Sequence, residues 1–235
     1  MAVEGCTMKV WHVNDVMTTD VIAVGPDVAY RELVALLAAN RINAVPVVDR
    51  DRRVLGVVSE SDLLRKIEYV GAGQPRWFER NDRTARRKAD ALTAGELMTA
   101  PAVVVLPTTG IRTAARRMNE AHVKQMPVED PLGRLVGIVS RSDLLKEHLR
   151  PDDEIATDVR AAVHEATYTE NLAAVEVEVR QGVVDLTGRV ERWSTAMLAV
   201  RLVRLVPGVV DVLDEIAFDV DDHRVTDPVP AHAAG

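Results

Sequence analysis

The chain has 235 residues, of which 47% are hydrophobic and only 3% are aromatic. This length allows one or two buried cores, and the scarcity of aromatic rings disfavours aromatic cages and base-stacking platforms. The formal net charge of -7 opposes non-specific attraction to nucleic acid or anionic lipid. The single cysteine, Cys6, excludes an intramolecular disulfide. No segment approaches the roughly 20 uninterrupted apolar residues of a membrane span. We therefore expect a soluble, cytoplasmic protein.

An internal repeat is the strongest pattern in the sequence. Shifting the chain by 81 residues aligns 15–64 with 96–145 without a gap, and sixteen of these 50 positions are identical. Two copies that each expose an apolar face are expected to pack about a pseudo-two-fold axis, with clefts between them. The identical pairs include Met17 and Met98, Thr18 and Thr99, Pro26 and Pro107, Pro46 and Pro127, and Gly56 and Gly137.

Each copy is predicted to form a βαββα unit, which makes the fold class α/β (α+β). The spacing of Leu33, Leu36 and Leu37 predicts a helix, and short apolar runs separated by Asp- and Arg-containing turns predict strands. A second helix is predicted to open at the Ser-x-Ser-Asp segment of each copy. The predicted strands are Val21–Val24, Ala44–Val48 and Val54–Val58, and Ala102–Val105, Gln125–Val128 and Leu135–Val139.

A basic insert, residues 69–93, separates the two copies. Over 65–93, eight Lys or Arg residues oppose four acidic residues, which gives a net charge of +4. Trp77 and Phe78 lie within it and could contact nucleic acid, a membrane or an acidic partner, including the chain's own acidic C-terminal domain. The favoured interpretation is a solvated linker whose aromatic pair packs against the repeats.

A second α/β unit is predicted after Pro151 and the acidic run 152–154. Its order is predicted to be αββαββ, and alternation of Val and Glu indicates a sheet with one buried and one exposed face. The tail 223–235 has no periodicity and is predicted to be disordered. The predicted elements are a helix at 158–167, strands at 175–179 and 183–190, a helix at 193–206, and strands at 209–213 and 215–220.

The repeated Ser-x-Ser-Asp segment stands where a strand runs into a helix. Unpaired N–H groups at a helix N-terminus attract phosphate, which predicts an anion site at Ser59 and Ser140. The alternative is helix capping, for which Ser and Asp are also favoured. Two intact copies favour ligand binding, and both roles can coexist.

The segments Gly56–Asp62 and Gly137–Asp143, together with the Pro-containing strands and the Met-Thr openings, resemble a tandem pair of cystathionine-β-synthase (CBS) domains. The resemblance covers a first repeat at 10–68 and a second at 94–149. It implies a regulatory module that binds an adenine nucleotide such as AMP, ADP or ATP and forms a homodimer. It further implies phosphate contacts from Ser59 and Ser140, ribose contacts from Asp62 and Asp143, and adenine near Val21, Ile22, Ala102 and Val103.

Basic residues distinguish the two expected sites. His122, Lys124 and Arg141 belong to the second copy, whereas the first copy has Glu60 at the position of Arg141. We therefore expect the site with Ser140 and Asp143 to bind phosphate more tightly. The alternative is that these side chains are ordinary solvated surface charge.

Residues 155–222 resemble a BON domain, named for bacterial osmotic-stress and nodulation proteins. The resemblance rests on the alternating strand Val175–Val179 followed by Gly182 and Gly188, and on the Val-Pro-Gly segment that ends at Gly208. It implies phospholipid binding. Six Arg and sixteen acidic residues over 152–222 give a net charge of -10, which opposes binding to anionic headgroups.

No catalytic constellation stands out in the sequence. The six His residues show no metal-ligand spacing and there is no Gly-rich nucleotide loop, so no catalytic residue, metal site or required cofactor is assigned. We interpret the chain as a non-enzymatic, stress-related sensor in which nucleotide binding by the CBS pair signals through the BON domain. The alternative is a structural or envelope-associated stress protein whose CBS pair is a dimerisation scaffold and whose BON domain binds lipid or protein.

Overall fold

A computed structural model describes residues 10–68, 88–170 and 174–224. Cys6, the Trp77–Phe78 pair and residues 225–235 of the predicted tail lie outside the described residues. The chain divides into two compact units, His12–Leu144 and a second unit made of Leu145 onward with the residues before His12. The two units are described separately below.

The His12–Leu144 unit contains both repeats, and the repeat is visible in its element order. Each copy contributes a short opening helix, a longer helix, two antiparallel strands and a closing helix, with β1 paired to β2 and β3 paired to β4. The mixed α/β class is therefore confirmed. The elements are α1 Val13–Val16, α2 Tyr30–Asn40, β1 Ala44–Val48, β2 Val54–Ser59, α3 Glu60–Glu68, α4 Ala94–Leu97, α5 Ile111–Glu120, β3 Gln125–Glu129, β4 Leu135–Ser140 and α6 Arg141–Leu144.

The first predicted strand of each repeat does not form. In place of Val21–Val24 a single residue, Val24, bridges β1: its N–H donates to the Pro46 carbonyl at 3.0 Å, and the Val48 N–H donates to its carbonyl at 2.9 Å. A parallel ladder would next require an N–H from Pro46 on one side and from Pro26 on the other, and proline has none. Two prolines therefore limit the pairing to one residue.

The second repeat reproduces this interruption. Val105 bridges β3 in place of the predicted strand Ala102–Val105, bonded to the carbonyl of Pro127 and the N–H of Glu129 at 3.1 and 2.9 Å. Pro107 and Pro127 stand where the ladder would continue. The same sequence feature thus has the same physical consequence in both copies.

The two repeats exchange their opening segments. The N–H and carbonyl of Thr18 pair with those of Ile138 on β4, at 2.9 Å each. Reciprocally, Thr99 pairs with Val57 on β2, at 2.9 and 3.1 Å. Each opening segment thereby extends the sheet of the other copy, which creates the pseudo-two-fold relation between the repeats.

The opening helices follow the same exchange. The Ala94 N–H at the start of α4 donates to the Val28 carbonyl of the first repeat, and the Val13 N–H of α1 donates to the Thr109 carbonyl of the second, both at 2.8 Å. Leu97 of α4 is fully buried in the core of the first repeat with Leu33 and Val58. The core of the first repeat is therefore not complete without a residue from the second copy.

Glycines allow the exchanged segments to approach closely. A β-carbon on Gly56 would lie 2.7 Å from the sulfur of Met98 and 2.8 Å from the Thr99 carbonyl oxygen. Gly137 faces Met17 in the same way, and a β-carbon there would lie 2.6 Å from the Met17 sulfur. The glycine at this position of both copies therefore allows the close contact between them.

The second unit is a three-stranded sheet covered by two helices. Its elements are α7 Asp152–Thr167, β5 Ala174–Arg180, β6 Val183–Arg192, α8 Trp193–Val203 and β7 Asp211–Val220, with 3-10 helices at Leu145–Leu149 and Asp222–Arg224. The sheet order is β5-β6-β7, antiparallel between β5 and β6 and parallel between β6 and β7. Val159 and Val163 of α7, Leu186 of β6 and Val203 of α8 lie in its core.

Two predictions for this unit need correction. The strands predicted at 209–213 and 215–220 are one continuous strand, because β6 pairs with β7 across the charged residues Asp214 and Glu215. The order is therefore αββαβ. The first helix begins at Asp152 instead of 158, so the acidic run forms its first turn, where negative charge is favourable.

Polar contacts anchor the start of this unit. The Asp152 carboxylate accepts the backbone N–H groups of Gln181 and Gly182 in the β5–β6 turn, at 2.7 and 2.9 Å. Arg150 donates to the Pro207 carbonyl and to Asp158, both at 2.7 Å. These residues belong structurally to the second unit.

The first residues of the predicted tail are ordered against α8. Asp222 accepts hydrogen bonds from the backbone N–H and the hydroxyl of Ser194, at 2.9 and 2.6 Å, and the ring of His223 lies 5.1 Å from that of Trp193. The Ser194 hydrogen bonds lower the pKa of Asp222. The prediction of disorder is therefore wrong for His223.

We expect Gly56→Ala to lower the free energy of unfolding of the His12–Leu144 unit by about 1–3 kcal/mol, because the added carbon overlaps the Thr99 carbonyl. Urea unfolding of the full chain measures the change. Gly25→Ala is the matched control, since nothing lies within 4 Å of its β-carbon position. Equal effects of the two substitutions would contradict the proposed close contact.

We expect Asp222→Asn to lower the melting temperature of the second unit at neutral pH. Because the folded-state pKa of Asp222 is lowered, its stabilisation is present above the unfolded-state pKa and is lost as pH falls through the folded-state pKa. Thermal unfolding at neutral and acidic pH should therefore separate wild type from variant only at neutral pH. Glu215→Gln, an exposed carboxylate on β7, is the control, and a pH-independent difference would exclude this linkage.

Candidate nucleotide-binding clefts

The Ser-x-Ser-Asp segment of the second repeat folds into a closed hydrogen-bonded turn. Ser140, the last residue of β4, donates from its backbone N–H and its hydroxyl to Oδ2 of Asp143, at 2.8 and 2.6 Å. The Asp143 N–H donates back to the Ser140 hydroxyl at 3.2 Å. This arrangement caps α6, so the capping role considered from sequence is present.

The first repeat has the same local geometry. Ser59 donates from its N–H and hydroxyl to Oδ2 of Asp62, at 2.9 and 2.6 Å. Asp62 is 7% exposed, which is unusual for a carboxylate. The repeated motif therefore gives the two predicted Ser–Asp pairs nearly the same local geometry.

A cleft of about 180 Å³ opens beside Asp143, and we name it the Asp143 cleft. Both repeats contribute to it, because the exchange of opening segments brings Val21 and Ile22 of the first copy next to Ser140 and Asp143 of the second. It is lined by Thr18, Asp20, Val21, Ile22, Ile42, Ala44, Gln125, Ile138, Ser140 and Asp143.

The walls of the Asp143 cleft differ in chemistry. Ile22, Ile42 and Ala44 provide aliphatic surface, while Ser140 and Asp143 provide hydroxyl and carboxylate oxygens. Pro46 cannot donate a hydrogen bond toward the carbonyl of Ile22, so strand pairing does not cover this part of the backbone. The cleft can accept a flat apolar ring on one side and a hydroxylated group on the other.

Two of the predicted basic residues, Lys124 and Arg141, are each next in sequence to a residue that lines this cleft. His122, Lys124 and Arg141 are exposed, and none of them is among the lining residues. The Arg141 N–H donates to the Lys124 carbonyl at 3.1 Å, and its side-chain Nε donates to the Val123 carbonyl at 3.2 Å. Lys124 precedes the lining residue Gln125, and Arg141 follows Ser140.

The helix argument for phosphate is weaker than the sequence suggested. The helix α6 has four residues before the chain turns into a 3-10 helix, so its dipole is small. Attraction of phosphate would depend on the neighbouring basic side chains and on the backbone N–H groups at the Ser140–Arg141 junction.

The counterpart of this cleft, which we name the Asp62 site, contains a lysine that the sequence did not identify as a site residue. Nζ of Lys88 lies 2.5 Å from Oδ1 of Asp62 and 2.7 Å from the hydroxyl of Thr99. Lys88 is 9% exposed. By sequence it belongs to the basic insert, which is expected to be solvated, but its charge is buried against Asp62.

The exchange of opening segments also places Ala102 and Val103, which the sequence resemblance puts near adenine, beside the Asp62 site. Because Thr99 pairs with Val57, the segment carrying Ala102 and Val103 follows directly beside the strand that ends in Ser59. Ala102 and Val103 are half-buried. They are the counterparts of Val21 and Ile22 in the 81-residue repeat.

Sequence reasoning missed Thr18, Asp20, Ile42, Ala44, Gln125 and Ile138 as cleft residues, in addition to Lys88. Thr18 and Thr99 are identical between the copies, and this identity could have identified them as site residues, because each lies in an exchanged opening segment. No sequence pattern predicts the burial of Lys88, because its burial depends on where the end of the insert packs against the first repeat.

Within the described ranges, no group of three His, Cys, Asp or Glu residues is arranged to hold a metal ion. Over the same residues, no helix is both long and apolar enough to cross a bilayer.

Family models match most of the chain. The model described as CBS domain matches residues 13–69 and 94–150, and the model described as BON domain matches residues 151–219. The first two matches coincide with the repeats, and the third follows them without a gap.

Individual relatives match the repeats. CBS domain-containing protein CBSX1, chloroplastic, from Arabidopsis thaliana is 32% identical over 154 residues, which are 60% of this chain and 65% of that protein. Inosine-5'-monophosphate dehydrogenase from Methanocaldococcus jannaschii is 37% identical over 73 residues, or 31% of this chain and 14% of that enzyme. The chain thus spans less than two thirds of the length of these relatives.

One solved structure is similar to this chain in both fold and sequence. The crystal structure of CBSX2 from Arabidopsis thaliana in complex with AMP is 30% identical, with a TM-score of 0.53, and the match covers 59% of this chain and 97% of that chain.

We expect Lys88→Met to lower the free energy of unfolding by about 3 kcal/mol, because it leaves the buried Asp62 carboxylate without its cation. Asp62→Asn should also destabilise. The double variant should lose less than the sum of the two single losses, since no charge is then left unpaired. Urea unfolding of all four proteins measures this coupling, and strict additivity would contradict a direct ion pair.

Proposed function

The chain belongs to the CBS domain family, with two CBS domains followed by a BON domain, and on this basis we propose that it is a non-catalytic regulatory protein that binds AMP or a related adenine nucleotide. The observation that carries the proposal is the Asp143 cleft, which combines an aliphatic wall from one repeat with Ser140 and Asp143 from the other. The AMP complex of CBSX2, which has the same fold over the repeats, supports the choice of ligand.

The aliphatic wall suits adenine. Ile22, Ile42 and Ala44 offer apolar surface to a flat ring, and burial of apolar ring area supplies affinity without directional requirements. The backbone near Ile22 lacks a strand partner because of Pro46, so it can pair with the hydrogen-bonding edge of adenine. Backbone pairing of this kind distinguishes adenine from guanine, whose donor and acceptor positions differ.

The carboxylate of Asp143 suits the ribose. Its position in the cleft, held by Ser140, allows it to accept hydrogen bonds from the vicinal hydroxyls. Hydrogen bonds to an ionised acceptor are stronger than neutral ones, so this contact should contribute strongly to affinity.

The phosphate is assigned to the basic flank formed by His122, Lys124 and Arg141. The contact between Arg141 and Lys124 supports a shared position for two of these residues beside Ser140. Asp20 at the rim of the cleft adds a second negative charge, which opposes accumulation of phosphate groups. A nucleotide with one phosphate is therefore the favoured ligand, ahead of ADP and ATP.

Binding in this cleft would have a regulatory consequence because both repeats contribute to it. A ligand that contacts Ile22 and Asp143 together stabilises the arrangement of the copies that holds them together. We propose that this change is passed to the BON domain. The matched part of inosine-5'-monophosphate dehydrogenase covers 14% of that enzyme, and this small share supports a binding role in place of catalysis.

Further parts of the proposal concern partners and location. Exposed apolar side chains on α3, Leu64 at 58% and Ile67 at 68%, support a homodimer through the CBS pair. The acidic charge of the BON domain opposes anionic lipid and favours a protein partner. The single cysteine favours a cytoplasmic location.

We expect Asp143→Ala to weaken AMP binding by about 10- to 100-fold, the cost of losing charge-assisted hydrogen bonds. Calorimetric titration of the full chain measures it. 2'-Deoxy-AMP should bind wild type more weakly than AMP but should bind the variant about as well as AMP does, since the acceptor of the hydroxyl is gone.

Glu120→Ala is the control, because it removes an exposed carboxylate at the end of α5. GMP tests the base, and S-adenosylmethionine tests whether the phosphate is needed. Binding of AMP that Asp143→Ala leaves unchanged would exclude this cleft. Absence of binding to every nucleotide by the folded protein would favour the dimerisation scaffold.

A further inference from the structure

Lys88 forms a deeply buried ion pair in the first repeat. Its Nζ is 2.5 Å from Oδ1 of Asp62, and the two side chains are 11% and 9% exposed. Asp62 and Asp143 are equivalent by the repeat, and Asp143 lines a cleft. We propose that Lys88 is an internal occupant of the Asp62 site that excludes nucleotide from it, so that each chain binds one nucleotide, in the Asp143 cleft. This inference rests on the proposed function.

Both acceptors of the Lys88 ammonium correspond to cleft residues. Asp62 is the counterpart of Asp143, and Thr99, whose hydroxyl is 2.7 Å from Nζ, is the counterpart of Thr18. Asp143 and Thr18 both line the Asp143 cleft. Because Nζ contacts both counterparts at once, the ammonium lies in the part of the Asp62 site that a ribose would need.

The carboxylate of Asp62 is already engaged through both oxygens. Oδ2 accepts the N–H and the hydroxyl of Ser59, and Oδ1 accepts the ammonium of Lys88. A ribose that bonded to Oδ1 would have to displace Lys88. It would replace an ion pair by hydrogen bonds from neutral hydroxyl donors and would leave a buried cation without its carboxylate, which is unfavourable.

The main chain around Lys88 is also held in place. Lys66 of α3 donates from Nζ to the carbonyls of Ala89 and Ala91, at 2.9 and 3.0 Å. Ala91 is buried in the core of the first repeat. Lys88 is therefore fixed from its C-terminal side by contacts that do not involve Asp62, and its ammonium is presented to the Asp62 site by the fold.

Calorimetric titration with AMP tests the proposal in the full chain. Wild type should bind one AMP per chain, and Asp143→Ala should remove it, whereas Asp62→Ala should not. Lys88→Ala, which removes the ammonium and opens space, should bind two. The added site should disappear in the Lys88→Ala/Asp62→Ala double variant.

Two further variants control for folding and for loosening of the segment. Lys88→Gln keeps a polar side chain and should also gain the second site, with circular dichroism and urea unfolding used to verify that each variant is folded. Lys66→Ala loosens the same segment but keeps the ammonium at Asp62, so it should still bind one AMP.

The outcomes separate this inference from the proposed function. Two molecules of AMP bound by wild type, or one bound by folded Lys88→Ala and Lys88→Gln, would overturn the role of Lys88 and leave nucleotide binding intact. No binding by wild type together with one Asp62-dependent site in Lys88→Ala would support the role of Lys88 and overturn binding in the Asp143 cleft. If neither the wild type nor any variant binds AMP, both the role of Lys88 and the proposed function are overturned.

Discussion

The reciprocal exchange of opening segments is the constraint on which the rest of the His12–Leu144 unit depends. Thr18 extends the sheet of the second repeat through Ile138, and Thr99 extends the sheet of the first through Val57. The core of the first repeat is consequently completed by the other copy, as the burial of Leu97 among first-repeat residues shows. Separating the copies would expose Leu97 and break both pairs of hydrogen bonds, so the two repeats form a single cooperative structure.

The exchange and the prolines together create the candidate cleft. If Val21–Val24 paired fully with β1, its backbone N–H and carbonyl groups would be used in the sheet and would not be available in the cleft. Pro26 and Pro46 limit the pairing to Val24, and the residues before it turn toward the second repeat instead. Residues that favour a strand by side-chain type thus form irregular backbone, which is suited to recognition because its polar groups are not used in a ladder.

Identical motifs in the two copies have acquired different surroundings. Ser59–Asp62 and Ser140–Asp143 have nearly the same internal hydrogen bonds, which follow from the local sequence. Lys88 comes from outside the repeated segment and places a buried charge against Asp62. Under the role proposed for Lys88, an internal duplication yields two sites of similar local geometry and different occupancy, because the neighbours of a motif are not duplicated with it.

The sequence by itself determined the repeat, the mixed α/β class, the strands predicted at Ala44–Val48 and Val54–Val58, and the Ser–Asp turns, because these depend on local periodicity and capping. It did not determine that β7 continues through Asp214 and Glu215, since pairing with β6 outweighs local polarity there. Nor did it determine that Val21 and Ile22 face Asp143, or that Lys88 is buried against Asp62. Those contacts join residues far apart in the chain, and only the tertiary exchange brings them together.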